Sequence, residues 1–196
     1  MRPVPLRRGS FLVSAAALVA APAFAKPEAA PKAHEHGLNS AKLPLNTPIQ
    51  LHIRVLDGPD FDLVAQRGRV VAMNFFATWC GPCREEAADV AAFASAHADD
   101  LVVVSVNYRE SDDQVRNWRK KHAISYPLAM DEHGFYFHNI GLKAFPTTIF
   151  FRADGTVSCV HVGSLGAAEL EAEYRLALGA DEAPASPTPS PAPAPS

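Results

Sequence analysis

Between Arg69 and Ala77 the chain runs Val-Val-Ala-Met-Asn-Phe-Phe, seven residues with one polar member, Asn74. A strand that faces water on one side alternates polar and apolar residues. A short run this apolar, rich in branched and aromatic side chains, has to be covered on both faces. The run therefore suggests a strand buried on both faces. Leu101 to Val106 repeats the pattern, and Thr147 to Phe151 supplies a third short apolar segment.

The intervals between these runs have helical spacing. Downstream of Cys80, the residues Cys83, Glu86, Val90, Phe93 and Ala94 fall on one stripe, with Arg84, Glu85 and Asp89 off it, so a helix is expected to about His97. Ser111-Asp112-Asp113-Gln114 matches a capping box, with Val115 and Trp118 as the inner face of a second helix. Ala167 to Leu178 reads as a last helix carrying Leu170, Tyr174 and Leu178 inward, and Gly179 is its stop. Upstream, Leu51 to Val55 alternates, Asp57-Gly58 supplies a turn, and Phe61-Asp62-Leu63 alternates again, a hairpin. Ala153-Asp154-Gly155 turns Thr147–Phe151 back onto Val157–Val162 as a second hairpin. The expected order is β-hairpin, β, α, β, α, β-hairpin, α, an α/β fold with a mixed central sheet and helices on both faces.

This core spans residues 48–181. Residues 1–25 read as a cleavable signal peptide: Arg2, Arg7 and Arg8, an apolar stretch from Phe11 to Ala21, then Ala23-Phe24-Ala25 before the expected cut at Lys26. At about a dozen residues that stretch is too short for a membrane span. Arg7-Arg8 followed by Phe11-Leu12 leaves the twin-arginine and general secretion routes both open. Residues 26–47 read as a flexible linker. Residues 182–196 read as a disordered tail rich in proline, alanine and serine, which holds six of the 17 prolines and favours solvated polyproline II. Loss of the leader removes three arginines and leaves 15 basic against 21 acidic residues. An acidic chain with no Lys/Arg-rich run is not expected to bind nucleic acid, and no stable membrane insertion is expected after cleavage.

Three cysteines cannot make a disulfide scaffold. Two of them lie in Trp79-Cys80-Gly81-Pro82-Cys83, at the junction of a buried strand and a helix. A helix N-terminus has unpaired N–H groups and a partial positive charge, which stabilise a thiolate, and thiolate is the nucleophile of disulfide exchange. Pro82 is tolerated in the first turn because its missing amide has no partner there. By position, Cys80 is expected as the exposed attacking thiol and Cys83, one turn inside, as the resolving thiol. Glu86 shares the inner face with Cys83; an inward carboxyl is poorly solvated, its pKa is raised, and it can exchange a proton with Cys83. Two alternatives stand beside these. Cys-x-x-Cys is also half of a zinc site, which needs two further ligands. Glu86 could also turn outward to water as an ordinary surface acid.

From Val70 through Trp79-Cys80-Gly81-Pro82-Cys83-Arg84-Glu85-Glu86 the chain resembles the TlpA-like branch of the thioredoxin superfamily. The likeness continues through Tyr126-Pro127, Asp131, Gly134, Gly141, Phe145-Pro146-Thr147-Thr148 and Phe150 to Gly155, and reaches Gly163-Ser164-Leu165. The resemblance implies a thioredoxin-like fold with an added N-terminal hairpin, and an exported thiol:disulfide oxidoreductase of the kind that serves cytochrome c maturation. It implies a redox-active Cys80–Cys83 disulfide, an acid at Glu86, and Asn74 where cytoplasmic thioredoxins carry a buried Asp. It also implies a cis-Pro146 which, with Trp79, Phe145 and Thr147, shapes the groove for an extended partner. The partners it implies are disulfide-bearing client proteins and a membrane thiol-reducing protein of the DsbD type in the periplasm. No cofactor and no bound metal are expected. Gly81-Pro82 is thioredoxin-like and points to a reducing potential. A peroxidase of this fold would carry Thr in place of Ala77.

The reading from a different class is a copper-handling module binding Cu(I) through the dithiol with His133, His138 or Met130; copper-assembly proteins of the related Sco type have three residues between their cysteines, where this chain has two. Cys159, in a strand between Val157 and His161, is expected to be a buried, inert thiol. His34-Glu35-His36 is expected to be solvated linker.

Overall fold

The computed structural model describes Leu43 and residues 47–179. The expected signal peptide, most of the linker and the tail lie outside the described residues. Seven strands and four helices follow in order: β1 (His52–Ile53), β2 (Phe61–Asp62), β3 (Val70–Phe76), α1 (Gly81–Ala96), β4 (Leu101–Tyr108), α2 (Asp112–Lys121), β5 (Leu128–Asp131), α3 (Phe135–Ile140), β6 (Thr147–Phe151), β7 (Val157–Val162) and α4 (Ala167–Leu178).

The main sheet has the order β5-β4-β3-β6-β7. β3 is parallel to β4 and antiparallel to β6, β4 is parallel to β5, and β6 returns antiparallel as β7. All seven β3 residues are buried, and the two-residue period sorts them. Val70, Ala72 and Phe76 join a core with residues of α1, α2 and α4, including Val90, Phe93, Trp118, Leu170 and Tyr174. Val71, Met73 and Phe75 join a second core with the N-terminal hairpin and with Phe137 and Ile140 of α3. The run that opened the sequence argument is thus covered on both faces, by three helices on one and by a hairpin with one short helix on the other.

Two elements were not expected. The expected order has no element between the second helix and Pro146, where the structure places β5 and α3. β5 is four residues, all buried. α3 is six residues between glycines in the left-handed region, Gly134 (φ 73°) and Gly141 (φ 83°). Neither is long enough to display a period. The N-terminal hairpin is present but shorter than expected, with His52 opposite Asp62 and Ile53 opposite Phe61. Its continuation lies along the outer edge of β5: Leu56 N–H donates to Leu128 O at 2.8 Å and Met130 N–H to Arg54 O at 2.9 Å.

Candidate active site

β3 ends at Phe76, and a four-residue turn closed by Cys80 N–H to Ala77 O (3.1 Å) leads into α1. Cys80 is the N-cap, in an extended conformation, and its sulfur accepts from Cys83 N–H at 3.1 Å. Pro82 occupies the first turn, as its lack of a donor allows. Cys80 and Cys83 are joined as a disulfide with Cα atoms 5.3 Å apart. The pair sits at the positive end of a 16-residue helix, where a thiolate is favoured over a thiol. Cys80 is 5% exposed and Cys83 1%. Cys80 is the less covered of the two, but the open thiol expected at the cap is not seen in the disulfide form. Trp79, at 61% exposure, is the open residue of the motif.

Glu86 points into the protein and is 3% exposed. Its Oε1 accepts from Asn74 Nδ2 (2.8 Å) and its Oε2 from the Leu165 backbone N–H (3.0 Å). Burial pushes its pKa up to about 7 against the lowering effect of these two bonds, with the Asp89 charge adding a little. Asn74 also donates to Thr148 Oγ1 (3.1 Å) and accepts from Ser105 Oγ (3.3 Å), which lies 3.3 Å from the Tyr126 hydroxyl. Cys83, Glu86, Asn74, Ser105 and Tyr126 share one small buried cavity. The acid and the inner sulfur therefore line the same enclosed space beneath α1.

The Phe145–Pro146 bond is cis. Pro146 O accepts from Gly163 N–H at 2.9 Å, and the Trp79 ring meets the Phe145 ring edge-on at 5.9 Å. The structure thus brings Trp79, Phe145 and Pro146 to the disulfide end of the sheet. Thr147 differs from the expectation of a surface contact: it is 0% exposed and its hydroxyl donates to Ala144 O at 2.8 Å.

The copper candidates do not gather. Met130 is buried in β5, while His133 and His138 are exposed. His138 Nε2 is 3.1 Å from the Tyr108 hydroxyl. Among the described residues, no group of three or more His, Cys, Asp or Glu side chains is close enough together to hold a metal ion. Cys159 is buried, and burial together with its bond to Glu173 pushes its thiol pKa well above the usual range.

Sequence reasoning missed Glu110 and Asn107. Glu110, in the turn after β4, accepts from Thr78 N–H (2.7 Å), from the Thr78 hydroxyl (2.5 Å) and from Asn107 Nδ2 (2.7 Å). The available signal was a pair of polar residues, Ser105 and Asn107, inside an otherwise apolar strand. Buried polar groups need partners, and theirs lead to the site.

The mixed sheet, the cis-proline and the paired cysteines capping α1 define a thioredoxin-fold protein of the thiol-disulfide oxidoreductase class. The chain belongs to the redoxin family, whose sequence profile matches residues 21–176. It is 31% identical to the thioredoxin-like protein YneN of Bacillus subtilis over 127 residues, covering 63% of this chain and 74% of that one. It is 28% identical over 103 residues to the thiol-disulfide oxidoreductase ResA of Bacillus thuringiensis, covering 52% of this chain and 60% of that one. Among solved structures it is similar to a thiol:disulfide interchange protein of the thioredoxin family from Chlorobium tepidum, with 29% identity, a TM-score of 0.62, and coverage of 71% of this chain and all of that one. No helix among the described residues is long and apolar enough to cross a membrane.

Proposed function

We propose that this protein is exported by its leader and reduces disulfides of client proteins in the periplasm. The observation that carries this reading is the cysteine pair at the α1 cap with the buried Glu86 carboxyl lining the same cavity as Cys83.

The Cys80 thiolate attacks one sulfur of a client disulfide. A bond forms between Cys80 and that sulfur, the client S–S bond breaks, and the other client sulfur leaves as a thiolate that takes up a proton. Cys83 then gives its proton to the Glu86 carboxylate and attacks Cys80 Sγ. The Cys80–Cys83 disulfide forms, the second client sulfur leaves as a thiolate that takes up a proton, and Glu86 gives up the one it accepted. The client gains two electrons and two protons, and the protein is left oxidised, as seen in this structure. Near neutral pH an acid of pKa about 7 is divided between its two forms, which suits it to accept and return a proton. The Trp79–Phe145–Pro146 surface receives the client, and Thr147 supports it from beneath. An oxidising compartment regenerates no dithiol, so a membrane thiol-reducing partner of the DsbD type supplies electrons. Reduction of an apocytochrome c disulfide to its two thiols before haem attachment is the client role that the TlpA-like resemblance supports.

The test uses the full-length reduced protein and a disulfide-bonded model peptide. Wild type is expected to reduce the peptide mole for mole. Cys80→Ser is expected to abolish exchange, and Cys83→Ser to accumulate a mixed disulfide through Cys80. No exchange, combined with tight Cu(I) binding by the reduced protein, would replace this reading with the copper-handling one.

A further inference from the structure

The turn that delivers Cys80 is held from outside itself. Ala77 O and Cys80 N–H close it, which makes Thr78 and Trp79 its two central residues. The Thr78 peptide N–H and the Thr78 hydroxyl both bond the Glu110 carboxylate, at 2.7 and 2.5 Å. Two bonds from one residue to one carboxylate fix the tilt of that residue as well as its position. The Arg84 guanidinium donates to the carbonyls of the same turn, Thr78 O (3.3 Å) and Trp79 O (3.1 Å). Glu110 is itself braced. Asn107, 0% exposed and opposite Phe76 in the β3–β4 register, donates to its carboxylate at 2.7 Å and accepts from its backbone N–H at 3.3 Å. Glu110 is only 9% exposed, and its three donors are all neutral. A buried carboxylate without a cationic partner is costly, so this one is poorly explained as a stabilising ion pair. It is well explained as a template for the turn.

We propose that Glu110 is a positioning residue: by fixing the Thr78 peptide it sets the Cys80 sulfur in line with the Cys83 N–H and presents Trp79 to the client. The inference rests on Cys80 being the attacking thiol. A sulfur held at 3.1 Å from an amide donor is stabilised as thiolate by that bond and by the helix end. A loosened turn forfeits part of both. Glu110 also carries a charge that by itself would disfavour a nearby thiolate, so the sign of the effect separates the two roles. Positioning predicts that losing Glu110 raises the pH at which Cys80 ionises; a purely electrostatic role predicts the reverse.

The experiment follows Cys80 alkylation by iodoacetamide against pH, and exchange with the model peptide at pH 7, in the reduced full-length protein. Thr78→Ala keeps the carboxylate and removes one bond. Glu110→Ala removes both bonds and the charge. Exchange is expected to slow about threefold in the first and about tenfold in the second, the scale on which a typical net hydrogen bond counts. The alkylation profile should move to higher pH in both, and Thr78→Ser should behave as wild type. If Glu110→Ala does not fold, the Thr78 pair decides the matter. An unmoved or downward-shifted profile overturns the proposal. Mapping the alkylated cysteine in the wild type keeps the two ideas apart: reaction first at Cys83 refutes the role given to Cys80, whereas reaction first at Cys80 with an unmoved profile in the variants refutes only the role given to Glu110.

Discussion

Glu86 is a carboxylic acid in a place that resists its ionisation, and this has a thermodynamic signature separate from catalysis. Its pKa is about 7 in the folded protein against an ordinary 4.5. As pH rises from 4.5 towards 7, the unfolded chain gives up this proton first and the folded protein retains it. Unfolding then releases a proton, so stability falls as pH rises across that window and levels off above 7. The loss is on the order of 3 kcal/mol, the cost of holding the proton from pH 4.5 to about 7. We expect urea midpoints of the oxidised protein to show this decline, and Glu86→Gln to remove it. Parallel midpoints for the two proteins from pH 5 to 8 would show that Glu86 titrates as an ordinary acid. The same substitution should slow the resolving step and erase an inflection near pH 7 from the rate of mixed-disulfide release. Spacing alone was enough to place Glu86 on the inner stripe with Cys83. What spacing could not show is which donors hold it: Asn74 is twelve residues away and Leu165 seventy-nine, and such pairings exist only after the sheet and α4 have closed on α1.

Among the elements, those with room for a period were legible. α1 and β3 follow from the stripe or run that each displays, α4 from Leu170 and Tyr174, although Leu178, expected to face inward, is 52% exposed at the helix end, and α2 follows from its capping box, in which Ser111 Oγ accepts from Gln114 N–H and the Gln114 side chain accepts from Ser111 N–H. β5 and α3 were not legible, because a four-residue strand and a six-residue helix are defined by their neighbours. Asp131 shows this well. It ends β5 and its two carboxylate oxygens accept from Tyr136 N–H (3.3 Å) and Phe137 N–H (2.9 Å), which starts α3. A helix so short is made by its ends. Gly134 is the sharper case. Its φ is 73°, and a Cβ there would lie 2.6 Å from Tyr108 Cε2. Tyr108 in turn packs against Phe145 with ring centroids 5.2 Å apart. Gly134→Ala is expected to destabilise the protein by about 1–2 kcal/mol from backbone strain alone, with more from the displaced tyrosine ring. A urea midpoint equal to wild type would mean that α3 can re-form around the extra methyl. Disulfide exchange should fall in the same variant, since Phe145 adjoins the cis-proline.

At the scale of the whole molecule, the N-terminal hairpin is attached to the redox core by charge as well as by packing. Arg54 bonds Asp112 (2.7 Å) and Glu132 (2.6 Å), and Arg116 bonds Asp57 (2.9 Å) and Asp113 (2.9 Å), so the hairpin, α2 and the end of β5 share one network. Arg54 and Arg116 are each 40% exposed, which limits what any one pair contributes. We expect Arg54→Gln to lower stability by about 1 kcal/mol at low ionic strength and by less at 1 M salt. An equal loss at both would assign Arg54 to packing. The hairpin's further consequence concerns association. A β-sheet ends in two rows of unpaired amides and carbonyls, and each row invites another chain to add itself. Here residues 54–56 occupy the row on β5, which leaves β7 as the main-sheet edge with no strand paired along it among the described residues. The backbone of residues 54–56 therefore also shields that edge from other chains. A cut or a destabilising change between residues 49 and 56 would bare the second edge, and a molecule with two sticky edges can build a filament where one with a single edge stops at a pair.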